Sequence, residues 1–371
     1  MRARSAGQRR APGRVLIAGG LEVVAGTGLL PGTGPTPTAA VHIELLAGGF
    51  DITSPDGERL LLAGGPGEIP VPPLGTRPYD IALLDLLASP EQLGRLRAQG
   101  LVHERTTVAA LYTDHRITSD DEMARRCALW GAIHAQDGQL IAGPAAAPPP
   151  SAPRPHRTLI TGGGRSGKST EAELRLAGEP SVTYLAAGPF SSTRTQPGAL
   201  DRNGPGGAWI GPDGEPDTEW ARRVAAHRER RPDWWRTVES LDVAGILRAE
   251  TSSLLIDGIG TWLAAVLEDA GMWAAELPLA ATVSGVGKAN QGDQQDPATV
   301  VGAAIDELIA AWRDTSALVV AVTDEVGSGL VPANPAGRVF RDQLGWLNQR
   351  LAAESELNLQ VTAGRVTTLP S

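Results

Sequence analysis

An α/β fold is predicted for the larger part of this chain: a mostly parallel sheet with helices on both faces, preceded by a separate, smaller α/β or α+β domain. Three observations carry that expectation. Beyond residue 156, the strand-length runs RTLIT (157–161), VTYLAA (182–187), SSLLIDG (252–258) and ALVVAVTDE (317–325) alternate with segments of helical periodicity, the pattern of βαβ units. These runs are apolar almost throughout, as strands covered on both faces are. A proline-rich run, GPAAAPPPSAPRP at 143–155, recurs in proline too often for a helix or central strand and reads as an extended linker. The predicted organisation is an accessory domain over 1–142, a linker over 143–156 and the main domain over 157–371.

In the front segment VHIELL (41–46), ERLLLAGG (58–65), DIALLDLL (80–87) and TVAALYT (107–113) read as strands or short buried segments. SPEQLGRLRAQG (89–100) and DDEMARRCALWGAI (120–133) read as helices, each with a capping residue before it. In the back segment a loop rich in Gly, Pro and Asp runs to about Pro216. The helix expected over 217–231, DTEWARRVAAHRERR, puts Trp220, Val224 and His227 on one face. The helix expected over 339–354 puts Phe340, Leu344, Leu347 and Leu351 on one stripe.

Composition narrows the function. The chain has 371 residues, 42% of them hydrophobic and 20% charged, with 45 glycines and 29 prolines. That is a globular composition with long loops. A net charge of −9 argues against a broad nucleic-acid-binding surface. The single cysteine, Cys127, excludes an internal disulfide framework and fits a reducing cytosol. The N-terminal VLIAGG is too short for a secretory core, and no uncharged apolar run approaches the ~18 residues of a membrane helix. A cytoplasmic protein without a membrane span is expected. Lysine occurs only at Lys168 and Lys288, and arginine supplies the other 31 of 33 basic residues.

One of those two lysines lies in the strongest motif. Gly162-Gly163-Gly164-Arg165-Ser166-Gly167-Lys168-Ser169 fits the phosphate-binding loop G-x-x-x-x-G-K-[ST], with a strand before it and a helix after. Roughly 0.003 chance matches are expected in a chain of this composition, so the loop is not a compositional accident. Its backbone N–H groups converge on phosphates, Lys168 reaches β and γ oxygens, and Ser169 can hold Mg²⁺. Asp257 ends the run LLID, where phosphate-loop proteins place a Mg²⁺-associated carboxylate. Asp324 and Glu325 end another strand and either line a site at its carboxyl end or serve as solvated turn residues. His227 sits in AHRERRP beside Arg228, Arg230 and Arg231. It is a nucleophile candidate toward phosphorus, with guanidinium groups to hold the phosphates, or else a packed helix residue. In the front segment His42, His103, His115 and His134 form no pair at metal-ligand spacing.

The ordered blocks TGGGRSGKS, VTYLAA, the pattern from Asp217 through His227 to Glu239, LLIDGIGTW, TDEVGSGLVP and RVFRDQLGWLNQRLA together resemble the bifunctional adenosylcobinamide kinase/adenosylcobinamide-phosphate guanylyltransferase family, over about 157–371. The resemblance implies a P-loop NTPase-like domain running two reactions. The first phosphorylates the aminopropanol hydroxyl of adenosylcobinamide with ATP or GTP. The second takes GMP from GTP onto a histidine, releases pyrophosphate and passes GMP to the cobinamide phosphate, giving adenosylcobinamide-GDP. The family histidine falls on His227. Its nucleotide-contacting positions fall on the phosphate loop, on Ala186, Ala187 and Gly188, on Arg228, Glu229, Arg230 and Arg231, on Glu239 and on Asp257, with Ser169 and Asp257 as the Mg²⁺ positions. A homotrimer is also implied. Two departures are visible: family members usually carry Asn where this chain has Asp324, and 190–216 and 270–297 look long or irregular. The front segment faintly resembles a degenerate metallo-β-lactamase-like domain without its metal-ligand run.

Two rival readings are a phosphate-loop kinase of another small molecule and a regulatory GTPase switch, the latter because Asp257-Gly258-Ile259-Gly260 matches D-x-x-G. A guanine-reading N-K-x-D element needs Asp two residues after a lysine. Lys168 is followed by Ser-Thr and Lys288 by Ala-Asn, which argues against the switch.

Overall fold

The computed structural model describes residues 14–17, 21–24, 41–54, 56–64, 69, 75–111, 117, 119–135, 141, 154–188, 231–273 and 296–370. The chain divides into two units, Met1–Arg154 with Ala177–Pro180, and Pro155–Leu176 with Ser181–Ser371. The expected helix over 217–231, except its last residue, and His115 lie outside the described residues, as does most of the proline-rich run.

The first unit holds a hairpin, β1 (Arg14–Ile17) and β2 (Leu21–Val24), and a six-stranded sheet. The sheet runs in the order β3 (His42–Leu46), β4 (Gly49–Thr53), β5 (Arg59–Ala63), β6 (Ile81–Leu84), β7 (Thr107–Ala110), β8 (Ile133–His134). The first three are antiparallel and the rest parallel. Strand β4 was not expected, because its GFDIT carries a charge. That Asp51 is buried, and it accepts from Tyr79 OH at 3.0 Å and from Arg59 Nε at 3.2 Å. Helix α1 (Glu91–Ala98) matches the expectation. Helix α2 (Asp120–Leu129) starts at Ser119, whose hydroxyl accepts from Glu122 N. It stops four residues before the expected end: Gly131 turns the chain with φ +63, and Ile133–His134 joins β7 instead.

The second unit is built on a seven-stranded sheet. Its order is β11 (Arg236–Glu239), β10 (Val182–Ala186), β12 (Ser253–Asp257), β13 (Val319–Asp324), β9 (Arg157–Gly162), β14 (Leu357–Thr362), β15 (Arg365–Leu369). All neighbours are parallel except β14 and β15, which form an antiparallel hairpin. Strands β10, β12 and β13 are buried almost end to end, while β11 and β15 are largely exposed and carry Arg, Thr and Glu, composition suited to sheet edges.

Helices cover both faces. On one, α3 (Lys168–Leu176) buries Ala172 and Leu176 against Ile160, Tyr184, Leu255 and Val322. On the other lie α4 (Val243–Ala249), α5 (Ile259–Asp269), α6 (Pro297–Asp314) and α7 (Pro335–Ala353). Proline opens α6 and α7 at a position where its missing N–H costs nothing. Asn334 caps α7 by accepting from Gly337 N at 2.6 Å. Val301, Ile305, Leu308 and Trp312 form the buried stripe of α6; Leu344, Leu347 and Leu351 form that of α7. The predicted α7 stripe is therefore correct, with Phe340 half-buried at its start. The fold expectation of helices on both faces of a mostly parallel sheet holds. Among the described residues no helix is long and apolar enough to cross a membrane.

Leu347 is fully buried at the centre of this layer. Leu347→Ala is expected to destabilise the second unit by about 2–5 kcal/mol, read as a lowered urea midpoint at an unchanged slope.

Candidate active site

Parallel strands place their carboxyl ends on one edge, and Lys168, Ser169, Glu239, Asp257, Asp324 and Glu325 collect there. Strand β9 runs into the phosphate loop, and α3 begins at Lys168. The turn uses backbone that favours glycine: Gly167 has φ +101, and Arg165 adopts φ +58 at the loop's apex. Gly162 is needed for another reason. A Cβ there would lie 2.5 Å from Ser166 Oγ and 2.7 Å from Val361 O. The loop is braced from both sides, since Glu325 N donates to Gly162 O at 3.0 Å and Gly364 N donates to Ser166 O at 2.8 Å. The second brace comes from the β14–β15 turn, where Ala363 and Gly364 both have positive φ. The amino end of α3 thus faces the sheet's carboxyl edge, a site built for anions.

The two strand-ending carboxylates take different partners. Strand β13 lies between β9 and β12, and its register sets Asp324 beside Gly162. Asp324 Oδ1 is 2.9 Å from Lys168 Nζ, which also donates to Gly163 O at 3.0 Å. Lys168 is 13% exposed and Asp324 41%, so the cation is the sheltered member. Its neighbour Glu325 does other work, accepting from Gly327 N at 2.7 Å and Ser328 N at 3.1 Å in the following turn.

Asp257 is aimed by Gly258, which takes φ +96 and lets β12 pass at once into α5. Its Oδ1 accepts from Ser169 Oγ at 3.4 Å, and its Oδ2 accepts a short hydrogen bond from Tyr184 OH. Burial, then the charge of Asp257, push the Tyr184 phenol well above its ordinary range, so it remains a donor.

Register places Glu239, Ala186 and Asp257 in one row across β11, β10 and β12. Ala187 N donates to Asp257 O at 2.9 Å, and Gly188 approaches Thr261 closely. The edge therefore brings together the phosphate loop, Ala186, Ala187, Gly188, Glu239 and Asp257. Arg231 lies over the Tyr184 ring, its guanidinium carbon 3.3 Å from the centroid. His227, Arg228, Glu229 and Arg230 lie outside the described residues. Sequence reasoning missed Tyr184 and the Ala363–Gly364 turn. The first has a legible signal, a tyrosine inside an otherwise aliphatic strand; the second has none beyond one glycine.

The comparisons with known proteins decide which phosphate-loop family this is. The family described as cobinamide kinase / cobinamide phosphate guanyltransferase matches residues 204–369. The bifunctional adenosylcobalamin biosynthesis protein CobU of Salmonella typhimurium is 33% identical over 215 residues, covering 56% of this chain and 95% of the relative. CobU of Escherichia coli is 31% identical, again covering 56% and 95%. CobP of Pseudomonas aeruginosa, also called a bifunctional adenosylcobalamin biosynthesis protein, is 31% identical, covering 56% and 94%. The chain belongs to the cobinamide kinase / cobinamide phosphate guanyltransferase family. Membership makes it a bifunctional transferase of the kinase and nucleotidyltransferase classes. The family match begins past the phosphate loop, so the loop's assignment stands on its own pattern and geometry.

For a nucleotide-using member of this family, the donor set at the edge suits a hard cation. Ser169 Oγ and Asp257 Oδ1 are two oxygens on adjacent elements beside the loop, and Mg²⁺ typically takes one or two protein oxygens with the rest from phosphate and water.

The glycines of the loop differ in what they tolerate. Gly162→Ala should lower apo-protein stability by about 1–3 kcal/mol through the clash with Ser166 and Val361. Around Gly163 nothing lies within 4 Å of an added Cβ, and Gly163→Ala should stay within about 0.5 kcal/mol of wild type. Thermal unfolding without nucleotide separates the two.

Proposed function

We propose that this chain phosphorylates adenosylcobinamide with ATP or GTP and then transfers GMP from GTP, through a histidine–GMP intermediate on His227, to give adenosylcobinamide-GDP. The observation that carries the reading is the braced phosphate loop, with Lys168 and Asp257 at its mouth, in a chain of this family. In the kinase step the loop's N–H groups and Lys168 hold the β- and γ-phosphates while the acceptor hydroxyl oxygen bonds to the γ-phosphorus. The β–γ bridging P–O bond breaks and the nucleoside diphosphate leaves. Little covalent chemistry is required of the protein; positioning and charge do most of it. Ser169 and Asp257 would hold Mg²⁺, which would supply neutralisation of the charge developing on the transferred group.

The second step needs a nucleophile. The His227 imidazole attacks the α-phosphorus of GTP and pyrophosphate leaves; a phosphate oxygen of the cobinamide phosphate then displaces the imidazole from GMP. Arg228, Arg230 and Arg231 are the cations beside His227 in sequence, suited to the phosphates of that substrate, with Glu229, Glu239 and Ala186 to Gly188 as further nucleotide contacts. The domain reading follows: 157–371 carries the chemistry, 1–142 is accessory and 143–156 joins them. A cytoplasmic homo-oligomer, a trimer, completes the proposal.

Incubation with GTP and Mg²⁺ should add one GMP to the protein, detected by mass spectrometry and released by acid but largely spared by alkali, as a P–N bond is. His227→Asn should take no label, while kinase turnover should partly survive. Label retained in a folded His227→Asn protein places the nucleophile elsewhere and overturns the assignment. Lys168→Ala should lose kinase turnover, and Lys168→Arg most of it, because a planar guanidinium cannot replace a compact ammonium between phosphate oxygens. Wild-type kinase rates in Lys168→Ala remove the loop from the mechanism.

A further inference from the structure

Tyr184 stands inside the sheet of the second unit, 2% exposed, among the aliphatic side chains that pack under α3. Its ring is seated from above by Arg231, which also donates from Nη1 to Thr237 Oγ1 at 3.3 Å. Thr237 is the residue paired with Tyr184 across the β10–β11 ladder, so Arg231 spans that pair of strands. The ring is fixed by the strand below and the guanidinium above. Its hydroxyl reaches Asp257 Oδ2, while Oδ1 of the same carboxylate faces Ser169 Oγ.

A short aspartate at a strand end can rotate its carboxylate, and any rotation short of a half-turn carries both oxygens away from Ser169 and Tyr184. A cation on Oδ2 would stop the rotation but would also neutralise the charge that a metal needs. A phenol stops it with one neutral hydrogen bond. We propose that Tyr184 is a positioning residue: its hydroxyl holds Asp257 in the orientation that presents Oδ1, beside Ser169, to the cation that accompanies the nucleotide. The proposal rests on the reading of Ser169 and Asp257 as the Mg²⁺ residues. Partners of metal-binding carboxylates that act in this way typically contribute 10–100-fold in metal affinity.

The test uses the full chain, with Mn²⁺ as probe and GDP present, and follows free Mn²⁺ by electron paramagnetic resonance. Tyr184→Phe keeps the ring and its Arg231 contact and removes one oxygen. It should raise the Mn²⁺ Kd about 10–100-fold while leaving GDP binding in EDTA and the melting temperature close to wild type. Asp257→Asn should lose most Mn²⁺ binding, and Tyr184→Phe added to it should weaken binding no further, because Tyr184 acts through that carboxylate. If Tyr184→Phe does not fold, Tyr184→Met removes the hydroxyl while keeping an apolar side chain and carries the same expectation for Mn²⁺ affinity. Wild-type Mn²⁺ affinity in the folded Tyr184 variant, with Asp257→Asn impaired, overturns the role of Tyr184 and leaves the metal reading standing. Wild-type Mn²⁺ affinity in Asp257→Asn overturns the metal reading itself, and the proposal for Tyr184 with it.

Discussion

The ion pair between Lys168 and Asp324 is the contact around which the carboxyl edge of the second unit is organised. A phosphate loop without phosphate is a concentration of positive potential: the amino end of a helix, several converging N–H groups and an ammonium. Lys168 is largely sheltered from water, and a sheltered cation needs a partner. Asp324 can be that partner only because β13 is inserted between β9 and β12. The same insertion moves Asp257 one strand further out, where it meets Ser169 instead of the lysine. Exposure decides which member of the pair yields. Asp324 is the wetter one, so its hydration compensates much of what it loses when a phosphate takes its place beside Lys168.

Rigidity at the loop comes from neighbours on both sides. Glu325 N and Gly364 N tie its first and fifth residues to β13 and to the terminal hairpin. The absence of a Cβ on Gly162 lets the loop close against Val361. The terminal hairpin, whose strand β15 is exposed and polar, thus contributes through its turn more than through its own burial. An anion site made of backbone dipoles works by being fixed before the anion arrives, since the reorganisation is then done during folding.

Legibility in the sequence followed the range of the interactions. The phosphate loop, β12 and β13 were readable because each is specified by contiguous residues, a motif or an unbroken apolar run. The α7 stripe was readable because its period is helical. Strand β4 was not, because Asp51 becomes acceptable inside the sheet only through Arg59 and Tyr79, eight and 28 residues away. The β14–β15 hairpin was missed although LNLQVT alternates apolar and polar residues as a half-buried strand does, because no Pro-Gly or Asn-Gly pair marks its turn. At the site, the identities of Lys168, Ser169 and Asp257 were legible, whereas the pairing of Asp324 with Lys168 rather than with solvent required the strand order. Tyr184 was hidden by success: it fitted an apolar strand so well that its hydroxyl raised no question.

Two carboxylates beside an anion site look self-defeating until their existing partners are counted. Asp324 is balanced by Lys168, and Asp257 accepts hydrogen bonds from a serine and a tyrosine among its partners. A nucleoside triphosphate that takes over Lys168 leaves Asp324 without its counter-charge and adds its own beside Asp257. Under the proposed function the nucleotide's phosphates would then repel both carboxylates, and salt screens sheltered charges at such separations less than it would on an open surface. Under the proposed function a nucleotide arriving with its own divalent cation would offset that repulsion, with Asp257 as a ligand of the cation. The hydrogen bonds from Ser169 and Tyr184 belong to the same proposal: they would orient the carboxylate toward the cation without adding a charge of their own. Selectivity for a metal-bound nucleotide over a bare one would then follow from where this sheet ends its strands.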